Sequence, residues 1–206
     1  MILLADSGSG RRHGRLVLAL LFAAVAAGCA PDGPKFNASD VTGSSFGKDF
    51  ALTDFSGKPR TLADFRGKAV VIFFGYTQCP DVCPTTLAEL AEAMQRLGAD
   101  ADRVQVLFVT VDPARDTPEL LSKYVPAFDP RFLGLYGDAD ALARTAKEFK
   151  ILYQKQPGTT PGSYTMDHSA GTYLFDPQGR LRVYVSYGQG VGVFVHDLRE
   201  LLKAGA

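Results

Sequence analysis

Two short apolar runs, Ala69–Phe74 (AVVIFF) and Val104–Val111 (VQVLFVTV), constrain this chain more than any other feature. Both are rich in β-branched and aromatic residues, and neither alternates polar with apolar. That is the pattern of a strand covered on both faces. Between them Leu87, Leu90, Ala91, Met94 and Leu97 recur at helical spacing, and Gly98 supplies a stop. Strand, helix and strand in this order predict a parallel βαβ unit, because parallel neighbours need a long crossover.

The remaining segments extend that unit. Phe50–Phe55 and Arg60–Phe65 flank Ser56-Gly57-Lys58-Pro59 and predict a hairpin. Thr117–Phe128 opens as a threonine cap followed by proline and an acidic residue, the start of a helix. Asp140–Phe149 is a further helix. Ile151–Lys155, Thr172–Asp176 and Leu181–Tyr187 read as strands, the last two joined by a turn at Asp176-Pro177-Gln178-Gly179. Val193–Lys203 closes with a helix. The order predicts an α/β, thioredoxin-like layered fold: a central mixed β-sheet flanked by helices, with an added N-terminal β-hairpin.

The N-terminus has a different character. Arg11, Arg12 and Arg15 precede the apolar run Leu16–Gly28, which is shorter than the roughly 20 residues a bilayer span needs. Basic residues before a short apolar run predict an export signal; an uncleaved membrane anchor is the competing reading. Ala26-Ala27-Gly28-Cys29 resembles a bacterial lipobox, which would lipidate Cys29 and account for an odd thiol in an exported chain. The expected organisation is a signal over 1–29, a flexible polar tether over 30–46 and the folded domain over 47–206. The expected location is the bacterial cell envelope, at the periplasmic face of the membrane. Lys+Arg and Asp+Glu both number 22, so the chain lacks the basic excess of a nucleic-acid binder.

The first strand runs straight into GYTQCPDVCPTTL, Gly75–Leu87, which holds Cys79 and Cys83. A residue before proline is biased away from helical geometry, so Pro80 and Pro84 predict a loop at CPDVC and a helix starting at Pro84. Cys83 is then expected at or near the N-cap. There, orphan N–H groups and the positive end of the helix dipole favour a thiolate. A thiolate serves disulfide exchange and metal ligation alike. Three uses stay open at this point: a structural disulfide, a redox couple or part of a metal site. The first is weakest, because so short a closed loop stabilises least.

Of the three histidines, His13 falls in the signal, and His196 sits beside Asp197 in the final helix, where packing explains it. His168 follows the proline- and glycine-rich stretch QPGTTPGS and is expected in a polar loop, where sites concentrate. Two thiolates and an imidazole make a soft three-donor set suited to copper or zinc. Closed structural zinc takes four ligands, and Met166, the remaining candidate, is expected in the core. Asp112 follows the second buried strand, whose C-terminal end is expected on the cysteine side. It can tune the thiolates, support a ligand or hold its loop. Arg115 and Asp116 are expected to pair with each other, with Asp116 helping to start the helix.

Taken together, GYTQCPDVCP (Gly75–Pro84), VDPARDTP (Val111–Pro118) and MDHSAGTYLFDPQG (Met166–Gly179) resemble the Sco/SenC family of copper metallochaperones. The resemblance implies a thioredoxin-like domain that binds one copper ion, Cu(I) or Cu(II), through Cys79, Cys83 and His168. Asp112 matches a family aspartate associated with the site. It also implies a partner, the copper A-containing subunit of cytochrome c oxidase, which receives copper, has its cysteines reduced, or both. Other periplasmic copper chaperones or thiol reductases are further expected partners. Members are often held by an N-terminal transmembrane helix, and the short run and Cys29 depart from that pattern. The competing function is an extracytoplasmic thiol-disulfide oxidoreductase or peroxidase using Cys79 and Cys83 without a stable metal.

Overall fold

The structure, a computed structural model, describes residues 33–205. Cys29, His13 and the signal lie outside the described residues. The strands are β1 (Ser39–Asp40), β2 (Leu52–Asp54), β3 (Pro59–Arg60), β4 (Ala69–Gly75), β5 (Val104–Thr110), β6 (Leu133–Tyr136), β7 (Tyr153–Pro157), β8 (Tyr164–His168), β9 (Thr172–Phe175) and β10 (Leu181–Val185). The α-helices are α1 (Val82–Leu97), α2 (Pro118–Tyr124), α3 (Ala139–Phe149) and α4 (Val191–Ala204).

Eight strands form one mixed sheet in the order β1-β10-β9-β4-β5-β6-β2-β3. The two apolar runs are its centre. β4 pairs parallel with β5, from Ala69 opposite Val104 to Gly75 opposite Thr110, and antiparallel with β9 on its other edge. Every residue of β4 is buried, as the uninterrupted apolar run requires. Because side chains alternate along a strand, Phe73 and Phe74 point to opposite faces. Phe74 packs on Phe149 of α3, while Phe73 meets Phe108, which in turn touches Tyr124 of α2. Covering each such ring stabilises the fold by roughly 1.5–3 kcal/mol. The predicted α/β, thioredoxin-like arrangement, with the β2–β3 hairpin at one edge, is the one observed.

Several boundaries differ from expectation, each for a physical reason. The second arm of the N-terminal hairpin is only Pro59–Arg60. Leu62–Phe65 instead form a 3-10 turn that buries Leu62 and Phe65 and is closed by reciprocal Thr61 and Asp64 bonds. Helix α2 has the predicted cap, with Thr117 Oγ1 accepting from Leu120 N, but stops at Tyr124 because Pro126 follows its C-cap Val125. Within the stretch expected to be a tether, β1 pairs with β10. Next to it the Asn37 and Ala38 N–H groups donate to the buried Asp197 carboxylate at 2.7 and 3.0 Å. That part of the stretch is docked, not free. Strand β6 was not anticipated. Nor was β8: β7 and β8 form a separate two-stranded sheet where a polar loop was expected. Among the described residues no helix is long and apolar enough to cross a membrane.

Candidate metal centre

The site lies at the C-terminal ends of β4 and β5, the edge of a parallel pair where ligands commonly bind. β4 ends at Gly75; Tyr76–Pro80 turn away from the sheet; Asp81 caps α1. The expected helix start is corrected by two residues. α1 begins at Val82, so Cys83 is its second residue and Pro84 its third. The first turn's N–H groups have no acceptor within the helix, so proline there forfeits no hydrogen bond. The first helical bond is Thr85 N to Asp81 O, 3.1 Å. The bias that proline exerts on Cys83 is outweighed by burial of its side chain, which is 0% exposed.

This shift reassigns the two sulfurs. The Cys83 N–H, one of the orphan donors, points at Cys79 Sγ, 3.4 Å away. The positive end of the helix therefore serves Cys79, not Cys83. Burial, reinforced by a hydrogen bond with Cys79, pushes the Cys83 thiol far above its ordinary range. Metal-free Cys83 is thus an S–H, beside a half-buried Cys79 that faces the opening. Both thiols are free.

His168 is not on a loop. It is the last residue of β8, where Tyr164, Met166 and His168 alternate as half-buried positions with exposed Thr165 and Asp167. Its Nδ1–H donates to the Ser169 carbonyl at 3.0 Å, leaving the Nε2 lone pair to face Cys83 Sγ at 3.3 Å. Fixing one ring nitrogen in this way sets the tautomer that the other offers to a metal. Burial lowers the His168 pKa below its ordinary 6.5, so the ring is neutral at pH 7. Tyr76 and Phe73 pack edge-on against it, with ring centroids at 5.8 and 6.3 Å.

The three predicted donors therefore converge: the Cys79, Cys83 and His168 ligand atoms all lie within 4.8 Å of one another. Two donors each about 2.3 Å from one ion are at most about 4.6 Å apart, so small side-chain shifts suffice to close on an ion. Soft sulfur and a neutral imidazole suit copper or zinc. A cleft of about 290 Å³, lined by Tyr76, Cys79, Pro80, Met166 and His168, opens the group to solvent. A larger one of about 510 Å³ beside Phe46, Lys48 and Arg182 contains none of these donors, so chemistry and not size marks the site.

Asp112 is brought near but is not a fourth donor. Its carboxylate pairs with Arg115 and accepts from the Tyr164 hydroxyl at 2.9 Å. The expected Arg115–Asp116 pair does not form. Asp116 is buried and accepts from Thr77 N (3.0 Å), the Thr77 hydroxyl (2.6 Å) and the Thr110 hydroxyl (2.6 Å), binding the cysteine loop to the end of β5. Burial raises its pKa. His196 bonds Asp197 on α4, as expected of a packing residue.

Gly75, Tyr76 and Tyr164 had no expected role, and Arg115 was expected only as the partner of Asp116. A Cβ on Gly75 would lie 2.8 Å from Cys83 Sγ, so the glycine makes the room that Cys83 occupies. The alternation in YTMDH was the available signal for β8, and with it for Tyr164.

A family model described as SCO1/SenC matches residues 38–203. The mouse protein SCO2 homolog, mitochondrial, is 37% identical over 158 residues, which are 76% of this chain and 62% of that protein. Its bovine counterpart is 38% identical over the same length, 76% of this chain and 59% of that protein. The chain thus spans about six tenths of the length of these curated relatives. The structure of Bradyrhizobium japonicum ScoI with copper bound superposes with a TM-score of 0.70 at 41% identity, covering 77% of this chain and all of that one. The apo Sco1 protein of Thermus thermophilus gives 0.73 at 40% identity, covering 84% and 100%. With residues 38–203 matched by the family model and the fold superposing on these Sco structures, the chain belongs to the SCO1/SenC family.

Proposed function

We propose that the chain is a copper metallochaperone that holds one copper ion through Cys79, Cys83 and His168. It passes the ion to the copper A site of cytochrome c oxidase, reduces that site's cysteines, or both. The observation that carries this reading is the convergence of two free thiols and a neutral imidazole of fixed tautomer beside a solvent-open cleft. The copper-bound ScoI neighbour supports copper as the ion.

The residues divide the work. Cys79 is the accessible sulfur and the one to which a partner thiol comes first. Cys83 is the buried sulfur; ion entry displaces the proton it shares with His168 Nε2, so loading releases protons. His168 supplies nitrogen, which suits copper(II), while two thiolates alone suit copper(I). The two thiols also support reduction of a partner disulfide. Cys79 attacks one partner sulfur and the other leaves as thiolate; Cys83 then displaces the first. One disulfide forms, one breaks, and the two protons go to the partner's thiols. The oxidised pair no longer binds the ion, so redox state gates loading.

An export signal over 1–29 and a lipid anchor at Cys29 would hold the domain at the periplasmic face of the membrane. This rests on the sequence of residues outside those described. In a metal-free oxidoreductase, the competing function, His168 Nε2 would serve only as acceptor of the Cys83 thiol proton.

Anaerobic titration of the reduced protein with copper decides between the two. One copper(I) per chain, and a copper(II) complex with thiolate-to-metal absorption that His168→Ala abolishes, support the chaperone. A wild-type protein with neither tight copper(I) binding nor that absorption excludes it.

A further inference from the structure

The hairpin that carries His168 is attached in an unusual way. Among the described residues β7 and β8 pair only with each other and share no ladder with the eight-stranded sheet. An isolated two-stranded hairpin is marginal in water, so its position depends on side-chain contacts. At the His168 end these include the Cys83 sulfur, the Tyr76 and Phe73 rings, and the packing of Tyr153 and Met166 against the core. At the other end of β8, roughly 13 Å away at the usual rise per residue, they converge on one guanidinium.

Arg115 makes five contacts there. It pairs with Asp112 through Nε. Its Nη1 donates to the Tyr164 backbone carbonyl at 2.9 Å and to Gln78 Oε1, next to Cys79, at 3.1 Å. Its Cζ lies 3.5 Å from the Tyr164 ring centroid and 5.6 Å from that of Tyr76. Nη2 is buried with no conventional acceptor, beside these ring faces. The Tyr164 hydroxyl then returns to Asp112, closing a loop of bonds between β8 and the turn after β5. One side chain thus ties the His168 strand, the cysteine loop and the Asp112 turn together. A planar fork with several donors and a stacking face can do this; the point charge of a lysine cannot.

We infer that Arg115 is a positioning residue: it clasps the β7–β8 hairpin to the cysteine loop, and so sets how strongly His168 takes part in holding copper. The inference rests on the copper reading for its consequence but not for the clasp. Copper(I) satisfied by two thiolates depends little on the hairpin, whereas copper(II) depends on the imidazole. Loosening the clasp therefore shifts the preference of the site from copper(II) towards copper(I). A residue that merely stabilised the fold would weaken both.

The test compares wild type with Arg115→Lys and Arg115→Gln, with Tyr164→Phe as a milder break. Amide hydrogen exchange of the metal-free proteins reads the clasp directly. Faster exchange in Tyr164–His168 and the 76–80 loop, with β4 and β5 still protected, is expected in both Arg115 variants and in weaker form in Tyr164→Phe. Copper(II) affinity should fall about 10–100-fold, the range for loss of a group that orients a ligand, and copper(I) affinity by less than about 3-fold. Exchange unchanged in the hairpin, or raised uniformly through the domain, overturns the clasp. So does an equal loss of both copper affinities, or full rescue by lysine. If the wild type binds no copper, the exchange experiment still decides the clasp, and only the chaperone reading falls.

Discussion

Replacing Gly75 by alanine tests how the site is built into the sheet. The added Cβ would sit 2.8 Å from Cys83 Sγ, 2.9 Å from Phe108 Cε2 and 3.1 Å from Phe73 Cε1. All three neighbours are 0% exposed, so none can swing into solvent. Adding one methyl to a packed interior costs roughly 1–3 kcal/mol. For a domain of this size each kcal/mol lowers Tm by about 2–4 °C, giving a fall of about 2–12 °C. Relief comes most readily by moving the sulfur, which lengthens the 3.3 Å approach of Cys83 to His168 and disturbs the copper(II) absorption. Circular-dichroism melts of the metal-free protein and a copper titration are the assays. Gly192→Ala in α4, where nothing lies within 4 Å of the new Cβ, is the control and should be neutral or slightly stabilising. In a Cys83→Ala background, Gly75→Ala should cost less, because its closest clash is gone. A Gly75→Ala protein that melts within about 1 °C of wild type and keeps its copper spectrum would refute the close packing of Cys83 against β4.

Other outcomes follow from the burial of single groups. In the reduced, metal-free protein a limiting amount of iodoacetamide should label Cys79 at least about 10-fold faster than Cys83, because the thiolate reacts and Cys83 is buried as the thiol; equal labelling by peptide mass spectrometry contradicts this. The ring protons of His168 should titrate in the metal-free protein with a midpoint below 6.5. Since its folded pKa is depressed, the unfolded chain takes up the proton first as pH falls. Stability is therefore whole above about 6.5 and declines as pH drops towards the folded midpoint. A midpoint above 6.5 by NMR would reverse that sign. Asp197→Ala removes the carboxylate that accepts from Asn37 N and Ala38 N and pairs with His196. It should destabilise by roughly 2–4 kcal/mol and speed trypsin cleavage at Lys35, two residues before Asn37; an unchanged digestion pattern would show that the segment is held by something else.

How much of this was legible in the sequence depended on whether a residue's surroundings were local. β4, β5 and α1 could be read because an unbroken apolar run and a 3.6-residue period are signals internal to a segment. Cys79 and Cys83 could be found because proline and strand flank them. The start of α1 could not be fixed to the residue. Pro84 favours a later start, and the packing of Cys83 against Gly75 and Phe108, from other elements, decides for an earlier one. β8 was hidden by the turn residues just before it: glycines and prolines between Pro157 and Gly162 suggested a long loop, although they build only the tip of a hairpin. Arg115 was misassigned because Asp116 is its neighbour in sequence, whereas Asp112 and Tyr164 are its neighbours in space.

That contrast bears on how the site works. Cys83 is buried in the first turn of α1, against Gly75 of β4, and its N–H points at Cys79 on the half-buried turn before the helix. The imidazole stands on a hairpin outside the main sheet. An ion carrier has to bind and let go, and these demands conflict if every ligand is equally fixed. Dividing them resolves the conflict. Under the proposed function the two sulfurs would keep a two-coordinate hold suited to copper(I), while the third donor is held by side-chain packing and the Arg115 contacts alone, because no ladder bond joins β8 to the eight strands behind it.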